Sequence, residues 1–171
     1  VALKVAHALL GEVPEALLEV AAIGTIADLV PLKDENRLIA AKGIQKMKDT
    51  SRPGLQVLLK KANIDLSNLN EDSIGFGIAP RINAAGRLAD ADPGVELLLT
   101  TDREMAENIA EEMDCLNKER QAIVAEITKE AIKQVEEFYP IEHNSVLIVG
   151  AEGWNAGVVG IVASKLVEKY Y

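Results

Sequence analysis

The sequence predicts a mainly α-helical chain that ends in a single strand–helix unit. Helix-type spacing of apolar residues dominates positions 1–100. Positions 101–138 contain neither glycine nor proline, and apolar residues recur there at mostly three- or four-residue steps, as in one long helix. A short apolar run at 145–149 is typical of a buried parallel strand, and a glycine-rich segment and another helical pattern follow it.

Start and stop signals predict six helices in the first hundred residues. The first covers positions 1–10 and stops at Gly11, because glycine readily takes the left-handed conformation that ends a helix. Proline is tolerated in the first turn of a helix, and Asp, Asn or Ser often caps its start. On these signals the other five helices begin near Pro14, Asp34, Ser51 to Pro53, Asn70 and Asp92.

The long helix, from 101 to about 138, would span roughly 55 Å at 1.5 Å per residue. A helix of that length usually connects two bodies, and the alternative is a plain coiled-coil arm. Pairs such as Asp114 with Lys118 are expected to support its exposed faces. Cys115, which has no partner for an internal disulfide, is expected to be a small buried thiol on this helix.

Composition and charge exclude few functions. The chain has 171 residues, of which 49% are hydrophobic, enough for one domain or a domain plus part of another. It has no run of about 18 apolar residues, so no membrane span is expected. The net charge of −9 argues against a nucleic-acid partner. However, positions 101–142 alone hold twelve acidic and five basic residues, so the rest of the chain carries a net charge of only −2. Helical patterns run into both chain ends, which indicates part of a longer protein.

Positions 80–87 are the most informative about function, and they spell Pro-Arg-Ile-Asn-Ala-Ala-Gly-Arg. Arginine presents a planar set of donors that suits phosphate oxygens. Gly86 lets a ligand approach the backbone closely, and Asn83 offers a donor and an acceptor. The spacing fits neither strand alternation nor an apolar helical face, so we expect a phosphate-binding loop around Arg81 and Arg87. The alternative is a pair of solvated arginines.

Two further segments have functional and structural interpretations. Asp28 lies in apolar surroundings, so it either binds a divalent metal or caps a turn before Pro31. The glycine-rich segment around Asn155 and Gly157 opens a helix, where it either binds an anion or allows tight packing. Trp154 either stacks on a nucleobase or packs at a loop edge.

Three segments together resemble successive motifs of the RecJ family in the DHH phosphoesterase superfamily. They are Gly-Thr-Ile-Ala-Asp-Leu-Val-Pro-Leu at 24–32, the arginine motif at 80–87, and Gly-Trp-Asn-Ala-Gly-Val-Val-Gly-Ile-Val-Ala-Ser at 153–164. The resemblance implies an α/β parent protein. Positions 1–100 would be the C-terminal helical part of its DHH domain, 101–140 the connecting helix, and 141–171 the start of the DHH-associated C-terminal domain.

The resemblance also implies roles for individual residues. Asp28 matches an aspartate that helps to bind catalytic Mn²⁺ or Mg²⁺. Arg81, Asn83 and Arg87 match a motif that lines the DNA path, with Gly86 between them. Asn155 and Gly157 match a motif that contacts the nucleic-acid backbone, although many relatives have histidine at the position of Asn155. We therefore expect Asp28 and the arginine motif to lie around the same DNA strand.

The function that the resemblance implies is 5′→3′ hydrolysis of single-stranded DNA with two metal ions, in recombination and repair. The expected location is the cytoplasm, with single-strand-binding protein and a RecQ-type helicase as expected partners. The family's aspartate-rich, Asp-His-His and final glycine-rich motifs are absent from these 171 residues, so the chain alone is expected to be inactive. The alternatives are a phosphodiesterase for short oligonucleotides or cyclic dinucleotides, and a non-catalytic replication scaffold.

Overall fold

The computed structural model describes residues 1–139 and 145–171, and the predicted mainly helical fold is confirmed there. These residues form eight α-helices, two short 3₁₀ turns and one π-helix. The boundary predicted between 140 and 141 lies outside the described residues. The α-helices are α1 Ala2–Leu10, α2 Leu18–Ala27, α3 Asp34–Met47, α4 Pro53–Lys61, α5 Ala79–Leu88, α6 Asp92–Leu99, α7 Arg103–Phe138 and α8 Val159–Tyr170. The 3₁₀ turns are Glu15–Leu17 and Leu66–Asn68, and the π-helix is Ser73–Ile78.

The helix ends follow the local signals of the sequence at most positions. Gly11 ends α1 with a φ of 76°, a value that glycine adopts without strain. The carboxylate of Asp102 caps α7, since its Oδ1 accepts hydrogen bonds from the backbone N–H of Glu104 and Met105 at 2.8 and 3.2 Å. Asp34 begins α3, but its side chain does not cap the helix, because the cap position is held by Lys33.

Helix α7 joins two separate hydrophobic cores. Its first half packs with α2 to α6 and the π-helix, and its second half packs with α8 and residues 149 and 154. In the first core α7 contributes Ala106, Ile109, Ala110 and Met113, and in the second Val124, Ile127 and Ala131. Its 36 residues give a length of about 54 Å at 1.5 Å per residue, so it reaches both cores.

Two predictions about buried elements are wrong. Cys115 is exposed, because its neighbour Asp114 faces the interior instead. The strand predicted at 145–149 is not formed, since the described residues provide no neighbouring strand to pair with it. One side chain of α7 binds the residue that follows this segment: the Gln134 amide exchanges two hydrogen bonds with the backbone of Gly150, at 3.1 and 3.2 Å.

Trp154 is a packing residue in this structure. It lies against the second core and donates a hydrogen bond from Nε1 to Glu130 Oε2 at 2.8 Å. That bond satisfies the indole N–H while the ring covers apolar neighbours. None of the helices in the described part of the chain has both the length and the apolar character for crossing a membrane.

The first core predicts unequal effects for two leucine truncations. Leu58 is 0% exposed and Leu38 is 60% exposed. Leu58→Ala should lower the free energy of unfolding by about 2–5 kcal/mol, because it leaves a cavity. Leu38→Ala, the matched control, should change it by less than about 0.5 kcal/mol. Urea denaturation of both variants measures this, and equal effects would contradict the described core.

Candidate nucleic-acid interface

The arginine motif is helical, so the predicted loop is wrong. Positions 80–87 lie within α5, which directly follows the π-helix. The buried face of α5 consists of alanines, including Ala84 and Ala85, and such a face gives no clear apolar stripe in the sequence. Residues six positions apart on a helix point about 120° apart at 3.6 residues per turn. Arg81 and Arg87 therefore lie on different faces of α5.

Arg81 is bound within the protein. Its side chain is 17% exposed, and its Nε lies 2.9 Å from Oδ1 of Asp114 on α7. Its Nη1 donates a hydrogen bond to the backbone oxygen of Gly77 at 2.6 Å. One guanidinium thus connects the π-helix, α5 and α7.

Asp114 is the buried half of this connection. Its Oδ2 also lies 2.8 Å from Nζ of Lys118, so the predicted pair forms, but around a buried carboxylate and not on an exposed face. The hydrogen bond from Lys118 lowers the pKa of Asp114, burial opposes this, and the Arg81 guanidinium lowers the pKa further. The carboxylate therefore stays ionised at neutral pH despite its burial.

Arg87 and Arg120 form the positive centre of the site. Arg87 donates a hydrogen bond from Nη1 to the backbone oxygen of Gly157 at 2.8 Å. Arg120 donates from Nε and Nη2 to Oδ1 of Asn117, at 3.3 and 2.8 Å. Within residues 1–139 and 145–171 neither arginine forms an ion pair with a carboxylate. Burial and the neighbouring Arg87 charge both lower the pKa of Arg120. Two cations this close favour a bound anion.

A groove of about 410 Å³ contains both of these arginines. It lies where the end of α2, the π-helix, α5, α7 and α8 meet, so residues from all three sequence motifs line it. One wall is apolar and exposed, and two carboxylates lie elsewhere along it. The lining residues are Ile26, Ala27, Leu29, Val30, Leu32, Glu71, Asp72, Gly75, Phe76, Ala79, Pro80, Asn83, Arg87, Arg120 and Ile161.

Asp28 lies beside this groove and not in it. It ends α2 and is exposed, and its backbone N–H donates to the oxygen of Gly24 at 3.2 Å. Its neighbours Ala27 and Leu29 line the groove, whereas Asp28 lines an adjoining cavity that shares Val30 with it. Asp28 and the arginine motif, which are expected around the same DNA strand, thus line two adjacent cavities. Within the described residues no group of three or more His, Cys, Asp or Glu could hold a metal ion.

The C-terminal motif contacts the arginine motif through Gly157. The Oδ1 of Asn155 accepts a hydrogen bond from the Gly157 N–H at 2.8 Å, which fixes the turn before α8. A Cβ at position 157 would collide with the backbone oxygen of Arg87, so only glycine allows this approach. The residues that line the groove do not include Asn155, Gly157 or the exposed Gly86. The residue of the C-terminal motif that lines the groove is Ile161. Of the two interpretations of the glycine-rich segment, anion binding and tight packing, this structure shows tight packing at Gly157.

A larger cavity of about 760 Å³ lies elsewhere, between the starts of α2 and α4 and the ends of α3 and α6. Two of the three cations that line it are paired with carboxylates: Lys46 with Glu15 at 2.9 Å, and Arg52 with Glu19 at 2.6 Å. Arg52 also donates to the backbone oxygens of Ala16 and Leu98, as expected of a structural arginine. The smaller groove, in which two arginines form no ion pair within the described residues, is the better anion site.

Sequence reasoning missed Phe76 and Arg120. Arg120 could have been found from Asn117, a polar residue at a position of the apolar stripe of α7, which is buried and binds the guanidinium. Phe76 could have been found from its place between two glycines, Gly75 and Gly77, beside the arginine motif.

The chain is similar over its whole length to part of a DNA exonuclease. It is 54% identical over all 171 residues to the single-stranded-DNA-specific exonuclease RecJ of Bacillus subtilis, and 37% identical over 161 residues to that of Escherichia coli. It covers 22% and 27% of these two proteins, so it spans about a quarter of the length of the curated relatives it matches. No protein-family model matches the chain.

Solved structures give the same result. RecJ from Thermus thermophilus in complex with Mn²⁺ matches with a TM-score of 0.81 at 34% identity, over 95% of this chain and 24% of that one. Its Mg²⁺ complex matches with a TM-score of 0.82 at 33% identity, over 96% of this chain and 26% of that one. The resemblance to RecJ is thus confirmed, and the chain corresponds to a segment of the RecJ fold.

The buried carboxylate predicts a pH-dependent stability. Because the folded pKa of Asp114 is lowered, its stabilising effect is full above its unfolded pKa of about 4 and is lost as the pH falls further. Asp114→Asn should therefore cost about 2–4 kcal/mol at pH 7 and much less at pH 3. Thermal unfolding of both proteins between pH 3 and pH 7 measures this. A penalty that is the same at every pH would contradict the ionised pair.

The contact at Gly157 predicts opposite outcomes for two glycine substitutions. Gly157→Ala should detach the C-terminal motif from α5, because the new Cβ meets the Arg87 backbone. Gly160→Ala is the matched control, since a Cβ there meets nothing within 4 Å. Inside α8 it should stabilise the chain by about 0.5–1 kcal/mol. Limited proteolysis near residue 157 distinguishes them, and equal protection of both variants would contradict the contact.

Proposed function

We propose that the chain is part of a RecJ-type exonuclease that degrades single-stranded DNA from the 5′ end, in recombination and repair. Two observations support this: the 54% identity to RecJ over the full 171 residues, and the groove with two arginines that form no ion pair within the described residues. The two arginines are the main support for the proposal, because the phosphates of a DNA backbone are anions that two neighbouring guanidinium groups can bind.

We propose distinct roles for the residues of the arginine motif. Arg87 and Asn83 line the groove and contact the DNA backbone. Arg81 is bound to Asp114, so its role is to hold α5 in place. Gly86, Asn155 and Gly157 shape the backbone around the groove and do not line it.

The two hydrophobic cores support the proposed division of the longer protein. Positions 1–100 form the helical end of one domain, 101–140 connect the two, and 141–171 begin the next. The connecting helix contributes Arg120 to the groove, and α8 contributes Ile161. The DNA path thus runs along the junction of these parts.

Catalysis in the longer protein would use Mn²⁺ or Mg²⁺, the ions present in the solved RecJ structures. The described residues do not form a metal centre by themselves. We propose that Asp28, exposed at the end of α2 beside the groove, contributes one carboxylate to a centre whose other ligands come from outside this chain. The resemblance adds single-strand-binding protein and a RecQ-type helicase as proposed partners, and the cytoplasm as the proposed location.

Arg87 predicts a salt-dependent change in DNA binding. Arg87→Gln should weaken binding of a fluorescein-labelled dT₁₂ oligonucleotide and reduce the salt slope by about 0.7, the release expected for one lost phosphate contact on a single strand. Arg103→Gln is the matched control, since Arg103 is exposed and pairs with Glu107 at 3.2 Å. Fluorescence anisotropy between 50 and 300 mM NaCl measures both. An unchanged slope in Arg87→Gln would contradict the phosphate contact.

The incomplete metal centre predicts that the chain alone does not cleave DNA. Incubation of the purified 171-residue chain with Mn²⁺ and labelled single-stranded DNA should leave the strand intact, because one carboxylate does not assemble a two-metal site. Gel electrophoresis of the products measures this. Mn²⁺-dependent cleavage by the chain would show that its own residues suffice.

A further inference from the structure

The groove combines an exposed aromatic ring with the arginine pair, and neither Phe76 nor Arg120 belongs to a residue set implied by the sequence motifs. The geometry points to a binding site for one unpaired nucleotide: Arg120 and Arg87 bind its phosphate, and Phe76 stacks on its base. This inference rests on the proposed function and deepens it, because it gives the groove a reason to select single strands.

Phe76 provides the base-binding surface. The side chain lies on the π-helix, is 81% exposed, and lines the groove. A phenylalanine so exposed loses the stabilisation that burial would give it. Every nucleobase has a π-face, so an aromatic ring can stack on a base without regard to sequence. Leu29, 87% exposed on the same groove, extends the apolar surface beside the ring.

Arg120 provides an oriented phosphate ligand. It projects from α7, and the buried Asn117 one turn earlier accepts hydrogen bonds from its Nε and Nη2. This contact holds the guanidinium plane with Nη1 available to a ligand. Arg87 reaches the same groove from α5, and its Gly157 contact uses only Nη1. The two guanidinium groups repel each other until an anion lies between them.

The carboxylates of the groove orient the nucleotide. Glu71 and Asp72 line it next to the π-helix, and the arginines line it from α5 and α7. A phosphate is repelled by the carboxylates and attracted by the arginines, so the backbone is kept on the arginine side. The base then faces Phe76. A base in a duplex already has its faces covered by its neighbours, so the site favours an unpaired strand.

The test uses two probes with the same phosphates and different bases. One is fluorescein-labelled dT₁₂, and the other is a twelve-unit abasic oligomer of the same charge. Phe76→Ala should weaken dT₁₂ binding by roughly 5- to 150-fold, the range for one lost stack, and leave abasic binding unchanged. Arg120→Gln should weaken binding of both probes equally and lower the salt slope of each by about 0.7.

Matched controls are available on the same molecule. Phe138→Ala removes another exposed phenylalanine, 65% exposed at the far end of α7. Arg103→Gln removes an arginine from the start of α7. Neither should change the binding of either probe. Circular dichroism melts of each variant confirm that the chain remains folded.

Each outcome decides the inference. If Phe76→Ala leaves dT₁₂ binding unaltered, or weakens both probes equally, base stacking on Phe76 is contradicted, while the proposed function stands as long as Arg87→Gln still lowers the salt slope. If Arg120→Gln changes neither probe, the two-arginine phosphate site is contradicted. If the unmodified chain binds neither probe, both the inference and the groove's proposed role as the DNA path are contradicted.

Discussion

The buried ion pair between Arg81 and Asp114 determines where the rest of the site lies. It joins α5 to α7 at a point where both side chains are withdrawn from water, and the same guanidinium binds the backbone of Gly77 in the π-helix. A pair in such surroundings tolerates little change of geometry, because a carboxylate left without its partner there costs several kilocalories per mole. The arrangement of α5 on α7 in turn puts Arg87 and Arg120 into one groove.

The two remaining arginines show why net charge is a poor guide to partners. The chain carries −9 overall, yet its groove contains two guanidinium groups that form no ion pair with a carboxylate of the described residues. Apart from the buried Asp114, the acidic residues of α7 lie on exposed faces, where water and salt screen them. Local potential at a groove depends on the charges that face it, so an acidic protein can still present a phosphate site.

Much of the fold was predictable from the sequence, since glycine and proline mark helix ends and a region without either supported one long helix. The arginine motif was harder. Its helix buries alanines, whose pattern is weak, so periodicity did not identify α5. The failure of the 145–149 strand has another cause, because pairing depends on a neighbour that no local pattern reveals.

The site itself was predictable only in part. Asn83 and Arg87 do line the groove, but the partner of Arg81 on α7, Asp114, depends on tertiary packing. Arg120 is 33 positions from Arg87 in the sequence, so only the crossing of α5 and α7 brings them together. Long-range contacts of this kind carry no signature in a single sequence.

The most direct test of the account is to map the DNA contact surface of the chain. Two-dimensional ¹⁵N–¹H NMR spectra recorded while dT₁₂ is added show which backbone amides change. The account predicts changes at the end of α2, in the π-helix and α5, and around Arg120, with little change near Lys42 and Lys46 at the larger cavity. Changes confined to the larger cavity, with the groove unaffected, would contradict it.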